Sequence, residues 1–221
     1  CSIGSRPIDL HLKGFKQLGA QVDIEHGFVE LKARELIGEK IYLDFPSVGA
    51  TENILMAATL AKGETVIENA AQEPEVIDLA EFLKKAGAEI EGAGTQTIHI
   101  NGVKKLHGVQ DHRVIADRIE VGTLLIAGAI TKGDVTVTDV QLPDLIPLIE
   151  KLKACGLIVT TTEDSVRVRA NGSLHPVDVE TLPFPGFPTD MQAQMMSLLT
   201  VTPGTSVVKE TIFENRFMHA H

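Results

Sequence analysis

The sequence predicts an α/β fold built from a repeating βαβαββ unit of about 70 residues, and three observations in register carry that prediction. Helix-start signals recur before apolar runs. Ser47-Val48-Gly49-Ala50-Thr51 precedes the run 55–60, Asp117-Arg118-Ile119-Glu120 precedes 124–127, and Thr189-Asp190-Met191-Gln192 precedes 195–199. From Ser47 to Asp117 is 70 positions and from Asp117 to Thr189 is 72. A glycine then closes each helix, at Gly63, Gly133 and Gly204, spaced 70 and 71, where a left-handed cap is expected. A strand-like alternation follows each glycine, at 65–68, 135–138 and 206–209.

The rest of the unit falls into the same register. Second helices are expected over 74–86 and 143–154, each opened by a first-turn proline. They close on Ala86-Gly87-Ala88 and Cys155-Gly156-Leu157, and an earlier Leu18-Gly19-Ala20 lies 68 positions before the first of these. Hairpins follow, pairing 89–91 with 97–100 and 158–160 with 166–168. The chain thus holds the end of one copy, two nearly complete copies and half of another. A period this long describes a small subdomain and not a solenoid repeat.

Composition narrows the function classes. With 43% hydrophobic and 23% charged residues, the 221-residue chain has ordinary globular composition. A formal net charge of −10 argues against a nucleic-acid surface, which needs basic stripes. Any anionic substrate must be held by local donors. No apolar run is long enough to span a bilayer, and no secretory or transit signal is visible. Two cysteines make no disulfide framework, and a reducing cytoplasm fits best. The eight histidines show no metal spacing; His219-x-His221 is the one close pair, so no metal site is expected. The chain opens at Cys1 with no initiator Met and stops directly after a patterned segment, which reads as a piece of a longer protein.

Four segments carry candidate chemistry. Cys1 opens a polar, glycine-containing stretch, and a loop thiol near Arg6 can have a lowered pKa or be a free cysteine of no importance. Arg6-Pro7-Ile8-Asp9 joins a planar cation, a rigid turn and a carboxylate, suited to a base or sugar or to an ordinary salt-bridged turn. Ser47 is expected as an N-cap, and the helix start behind it also offers free N–H groups to a phosphate. In Phe184-Pro185-Gly186-Phe187-Pro188-Thr189-Asp190-Met191-Gln192, proline and glycine turns deliver the third helix. Thr189 and Gln192 have capping-box spacing, and Asp190 sits in the first turn. The helix dipole favours an ionised acid there, which can serve as a base toward a hydroxyl or simply complement the dipole. After the third strand, 210–219 is dense in hydrogen-bonding groups, which suits a site lining, while Glu214 and Arg216 can instead simply pair with each other.

Taken together, CSIGSRPIDLH, SVGAT, ENAAQEPE, DRIEVGT, FPTDMQAQ and FENRFMH resemble the UDP-N-acetylglucosamine 1-carboxyvinyltransferases, in family order and over essentially the whole chain. The resemblance implies an inside-out α/β barrel of the EPSP-synthase-like kind. Residues 1–112 would be the later part of a first domain and 113–221 the earlier part of a second. It implies that the enolpyruvyl group of phosphoenolpyruvate passes to the 3′-hydroxyl of UDP-N-acetylglucosamine through a tetrahedral ketal, with loss of phosphate, the first committed step of peptidoglycan synthesis. By the same resemblance Cys1 is the general acid and the residue alkylated by fosfomycin, and Asp190 is the base for the 3′-hydroxyl. Arg6, Pro7, Ile8, Asp9 and Leu10 hold the uridine. Ser47 and Val48 contact the diphosphate, and Thr189, Ile212 and Arg216 line the sugar region. No cofactor, metal, nucleic acid or membrane is implied, and a cytoplasmic monomer is expected.

The chain departs from the family pattern in two respects. The Lys-Asn pair and the arginines that bind phosphoenolpyruvate are absent from it, so by itself it should be inactive. Where some relatives carry a basic residue ahead of the helix start, this chain has Phe45-Pro46. Three rivals remain. The 5-enolpyruvylshikimate-3-phosphate synthases share the repeat but lack the cysteine loop and need no uridine clamp. An autoprocessed amidohydrolase with Cys1 as N-terminal nucleophile would have a layered αββα sandwich. A non-catalytic protein could retain the fold.

Overall fold

A computed structural model describes residues 7–170 and 172–220. These fall into two compact units, 7–114 and 115–220.

The first unit begins with the end of one repeat: helix α1 (Asp9–Gln17) and a hairpin of β1 (Gln21–Glu25) and β2 (Phe28–Lys32). A complete repeat follows: β3 (Lys40–Tyr42), α2 (Val48–Ala58), β4 (Glu64–Glu68), α3 (Pro74–Lys85), β5 (Glu89–Glu91) and β6 (Thr97–Asn101). Its sheet runs β3-β4-β6-β5, with β3 and β4 parallel and the other neighbours antiparallel.

The second unit repeats the plan with α4 (Arg118–Ile130), β7 (Asp134–Thr138), α5 (Ile146–Ala154), β8 (Ile158–Thr161) and β9 (Ser165–Arg169), in sheet order β7-β9-β8. It then starts another copy: β10 (Val179–Glu180), α6 (Gln192–Thr200) and β11 (Val208–Lys209), the two strands parallel as β3 and β4 are. The expected βαβαββ order is therefore present once in full and three times in part.

The most exact repeat lies at three helix ends. Gly19, Gly87 and Gly156 take φ of 92°, 100° and 88°. At each, the glycine N–H bonds to the carbonyl three residues back (Lys16, Lys84, Lys153), and the next N–H bonds to the carbonyl five back (Phe15, Leu83, Leu152), at 2.9–3.2 Å. This is the Schellman pattern, which glycine enters without a Cβ penalty. The carbonyl just before each glycine then accepts a distant N–H at 2.9 Å: Ile37 to Leu18, His107 to Ala86, His175 to Cys155. One device thus stops the helix and anchors the chain that returns past it.

Each unit has its own core. In β6, Ile98 and Ile100 are fully buried while Thr97, His99 and Asn101 face outward. In β9, Val166 and Val168 do the same between Ser165, Arg167 and Arg169. Burying each such side chain stabilises by about 1.5–3 kcal/mol, on a period-2 pattern that specifies register. The matching residues of β2, Val29 and Leu31, stay 39% and 41% exposed, because β2 pairs only with β1 among the described strands.

Several local expectations are corrected. Gly63 and Gly204 do take positive φ, but α2 ends at Ala58, well before Gly63. At the end of α4 the left-handed residue is Lys132, at φ 55°, and Gly133 is the next residue, bonded to Gly128 O at 2.8 Å. The helix expected from Pro143 opens as a 3-10 turn, Leu142–Leu145, and α5 starts at Ile146. Pro147 has no N–H to bond back to Pro143, so the first α-turn cannot close there. The strand expected over 206–209 is shortened to Val208–Lys209. Ser206 Oγ instead accepts Val177 N–H, and Val207 N–H goes to Asp178 Oδ1.

Candidate active site

In the first unit the candidate groups gather at the start of α2. Ser47 has extended backbone (φ −78°, ψ 121°), and its Oγ accepts Ala50 N–H at 3.3 Å, so it is the N-cap the sequence predicts. The cap leaves N–H groups in the first turn, beginning with Val48, without intrahelical partners, the arrangement that suits an anionic oxygen. Helix α1 packs on α2 here. Asn53 Nδ2 donates to Gly49 O at 2.8 Å and to His11 Nδ1 at 3.2 Å. An amide nitrogen only donates, so His11 Nδ1 is the acceptor and its proton sits on Nε2. Lys13 Nζ lies 2.7 Å from Asp44 Oδ2. These contacts hold the segment after Arg6 beside the start of α2. Pro7, Ile8 and Asp9 are exposed, whereas Leu10 packs partly on the core. Phe45 is exposed and Pro46 half-buried just ahead of the cap. Cys1 and Arg6 lie outside the described residues, as does His221.

Glu52, one turn into α2, is half-buried near Glu73 and Glu75. Burial first, then those two carboxylates, raise its carboxyl above the ordinary range. Cys155 is fully buried, and burial pushes its thiol up to about 11, which makes it unreactive at neutral pH.

In the second unit the candidates form one hydrogen-bonded network. Parallel pairing of β10 with β11 matches Val179 with Val208 and Glu180 with Lys209, which brings Thr181 alongside Glu210. Glu210 Oε1 accepts Thr181 Oγ1–H at 2.8 Å, Ile212 N–H at 2.9 Å and Phe213 N–H at 3.2 Å. Its Oε2 accepts Thr189 Oγ1–H at 2.9 Å. Arg216 Nη1 donates to that same Thr189 oxygen at 3.1 Å, and Arg216 Nη2 is ion-paired with Asp190 Oδ1. The guanidinium also lies over the Phe213 ring, 5.3 Å from its centroid, where the π face favours a cation.

Two local readings fail here for one reason. Thr189 does not cap a helix through Gln192, because 189–191 is a 3-10 turn and the charged Glu210 is the better acceptor for its hydroxyl. Arg216 does not pair with Glu214, because its fork is taken by Asp190 and Thr189. Gln192 Nε2 instead reaches Arg216 O at 3.4 Å. Asp190 does stand in the first turn. Ile212 is half-buried and bound through its backbone.

Sequence reasoning passed over Glu210 and Thr181, and it read no role into Asn53. No local sequence signal marks Thr181 and Glu210, because the parallel pairing of 179–180 with 208–209 that sets them at the same level is long-range. Among the described residues no cluster of three or more His, Cys, Asp or Glu is spaced to hold a metal, and no helix is long and apolar enough to cross a membrane.

Comparison with known proteins agrees with this organisation. The EPSP synthase (3-phosphoshikimate 1-carboxyvinyltransferase) family profile matches residues 1–221. UDP-N-acetylglucosamine 1-carboxyvinyltransferase 1 of Caldanaerobacter subterraneus is 59% identical over 219 residues, covering 99% of this chain and 52% of that protein. UDP-N-acetylglucosamine 1-carboxyvinyltransferase 2 of Carboxydothermus hydrogenoformans is 60% identical, with the same coverage. The chain thus spans about half the length of the curated relatives it matches. Among solved structures, the enolpyruvyl transferase NikO from Streptomyces tendae superposes with a TM-score of 0.85 at 26% identity, over 98% of this chain and 54% of its own. EPSP synthase from Acinetobacter baumannii gives 0.58 at 23% identity, over 94% and 49%, a likeness of fold alone. The repeat, its sheet order and the match over all 221 residues agree: the chain belongs to the EPSP synthase family of enolpyruvyl transferases.

Proposed function

We propose that the protein of which this chain represents about half transfers the enolpyruvyl group of phosphoenolpyruvate to the 3′-hydroxyl of UDP-N-acetylglucosamine, releasing phosphate, as the first committed step of peptidoglycan synthesis. The observation that carries this reading is identity of 59–60% over 99% of the chain to UDP-N-acetylglucosamine 1-carboxyvinyltransferases. The structurally similar EPSP synthase is only 23% identical.

The site roles follow from the resemblance, and the Arg216–Asp190 pair supports one of them. Asp190 is the base: Arg216 holds its Oδ1, and Oδ2 takes the proton from O3′ as that oxygen attacks C2 of the enolpyruvyl group. Cys1 adds a proton at C3, giving the tetrahedral ketal. Loss of phosphate from C2 and of a proton from C3 restores the double bond. Arg6, Pro7, Ile8, Asp9 and Leu10 hold the uridine, with Arg6 against the uracil. Ser47 and Val48 meet the diphosphate at the α2 start, where donors without helical partners offset the chain's overall negative charge. Thr189, Ile212 and Arg216 line the sugar region. The two compact units belong to the two domains of the enzyme, and the cations for phosphoenolpyruvate come from the rest of the protein. The chain alone is then inactive. The complete enzyme works in the cytoplasm as a monomer, without metal or cofactor.

Fosfomycin tests the thiol. Mass spectrometry of the complete protein after incubation with fosfomycin should find the adduct on Cys1, and Cys1→Ala should remove it. An unmodified Cys1 would contradict the role given to it.

A further inference from the structure

We infer that Glu210 is a positioning residue for the transfer reaction, setting the Arg216–Asp190 pair through the hydroxyl of Thr189; the inference rests on the reading of Asp190 as the base. The two oxygens of Glu210 do different work. Oε1 collects Thr181 Oγ1–H and the N–H groups of Ile212 and Phe213, and so fixes the turn that leads to Arg216. Among the described residues, Oε2 takes only the Thr189 hydroxyl proton. A hydroxyl has one proton, so once that proton points at Glu210 the Thr189 oxygen presents its lone pairs elsewhere. One of them receives Arg216 Nη1 at 3.1 Å. The fork geometry of the guanidinium then aims Nη2 at Asp190. Every contact in this chain joins a donor to an acceptor: hydroxyl to carboxylate, guanidinium to hydroxyl oxygen, guanidinium to carboxylate.

Asp190 is 54% exposed as a side chain, while Arg216 is only 18% exposed. The base thus owes its orientation to the more buried arginine, and the arginine owes its own to Thr189 and Glu210. Without the negative charge on Glu210, the Thr189 proton is free to turn toward Arg216, donor facing donor, and the guanidinium must shift. A displacement of about 1 Å at a reacting group can cost up to about a hundredfold in rate.

Glu210→Gln separates the two functions of the carboxylate. Its amide oxygen still accepts Thr181 and the two N–H groups, so the turn persists, while its amide nitrogen meets Thr189 and cannot accept. In the complete enzyme this variant should keep the wild-type KM for UDP-N-acetylglucosamine and lose about tenfold to a hundredfold in kcat. Thr189→Val should lose a similar amount, and the double variant should be no worse than either single one. Glu210→Ala frees the turn as well and should raise KM in addition. A Glu210→Gln enzyme with kcat within about twofold of wild type, or single losses that multiply in the double variant, would overturn the inference.

A second readout needs no turnover. Guanidinium NMR of Arg216 should show restricted, inequivalent Nη signals in the wild type that average in both Glu210→Gln and Thr189→Val. Unchanged signals would overturn the positioning role. A wild-type enzyme that shows these restricted signals but does not act on UDP-N-acetylglucosamine would instead overturn the proposed function.

Discussion

Arg216 reaches 26 residues back along the chain to pair with Asp190, and the same guanidinium donates to the neighbouring Thr189 oxygen at 3.1 Å. The second unit therefore presents its carboxylate in a fixed direction from a half-buried cation. If that carboxylate removes the substrate proton, Asp190→Asn in the complete enzyme should lower kcat by about 10²–10⁴ while nucleotide binding, read by calorimetry, stays close to wild type. Asp190→Asn with unchanged kcat would rule out the base role. Arg216→Lys keeps the charge but has one ammonium in place of a fork, so it should also slow turnover, by a smaller factor.

The three Schellman glycines make a stability series with an internal control. All three take left-handed φ, which alone costs an alanine about 1–2 kcal/mol. An added Cβ at Gly19 would meet nothing within 4 Å, but at Gly87 it would lie 3.2 Å from the His107 ring and at Gly156 2.9 Å from the His175 ring and 3.2 Å from Ser173 O. Denaturant melts should rank the losses Gly156→Ala, Gly87→Ala, Gly19→Ala, from largest to smallest. Equal losses at the three sites would show that backbone conformation alone, and not the contacts of the added Cβ, sets the cost.

Two helix caps separate stability from binding. Ser47→Ala and Asp117→Ala each remove a side-chain acceptor at a helix start, one that takes Ala50 N–H in the first case and Ile119 and Glu120 N–H in the second. Each should cost about 1 kcal/mol of stability. Asp117 is predicted to matter for stability, whereas Ser47→Ala should in addition weaken UDP-N-acetylglucosamine binding in the complete enzyme. Calorimetry showing unaltered affinity for Ser47→Ala would remove Ser47 from the diphosphate site.

Glu52 predicts a pH effect of definite sign. Its folded-state carboxyl titrates above its ordinary value of 4.5, because burial and the nearby Glu75 and Glu73 oppose its charge. The folded state therefore binds the proton more tightly than the unfolded chain. The favourable contribution is complete below the ordinary value and is lost as pH rises through the raised one. Glu52→Gln should raise the Tm at about pH 7, and the gain should vanish by about pH 4. A gain that persists unchanged in acid would mean that the charge at Glu52 is not what costs stability.

Local features of this molecule were legible in the sequence, and those that depend on distant partners were not. The Gly87 and Gly156 stops, the caps at Ser47 and Asp117, and the alternation in β6 and β9 each depend on a few adjacent residues, so their residue types announce them. Thr189 looks in sequence like half of a capping box because its partner in the structure, Glu210, lies 21 positions away. A Glu214–Arg216 pair is the local alternative for the same reason: adjacency is visible in a sequence, and the parallel pairing that brings 181 beside 210 is not. The exposure of Val29 and Leu31 was likewise hidden, since their alternation is that of a buried strand.

The most direct measurement offers the complete protein phosphoenolpyruvate with either UDP-N-acetylglucosamine or shikimate 3-phosphate and follows phosphate release and product mass. The account predicts phosphate release with UDP-N-acetylglucosamine, together with a product heavier by one enolpyruvyl group, and neither with shikimate 3-phosphate. Turnover of shikimate 3-phosphate alone, or of neither acceptor, would contradict it.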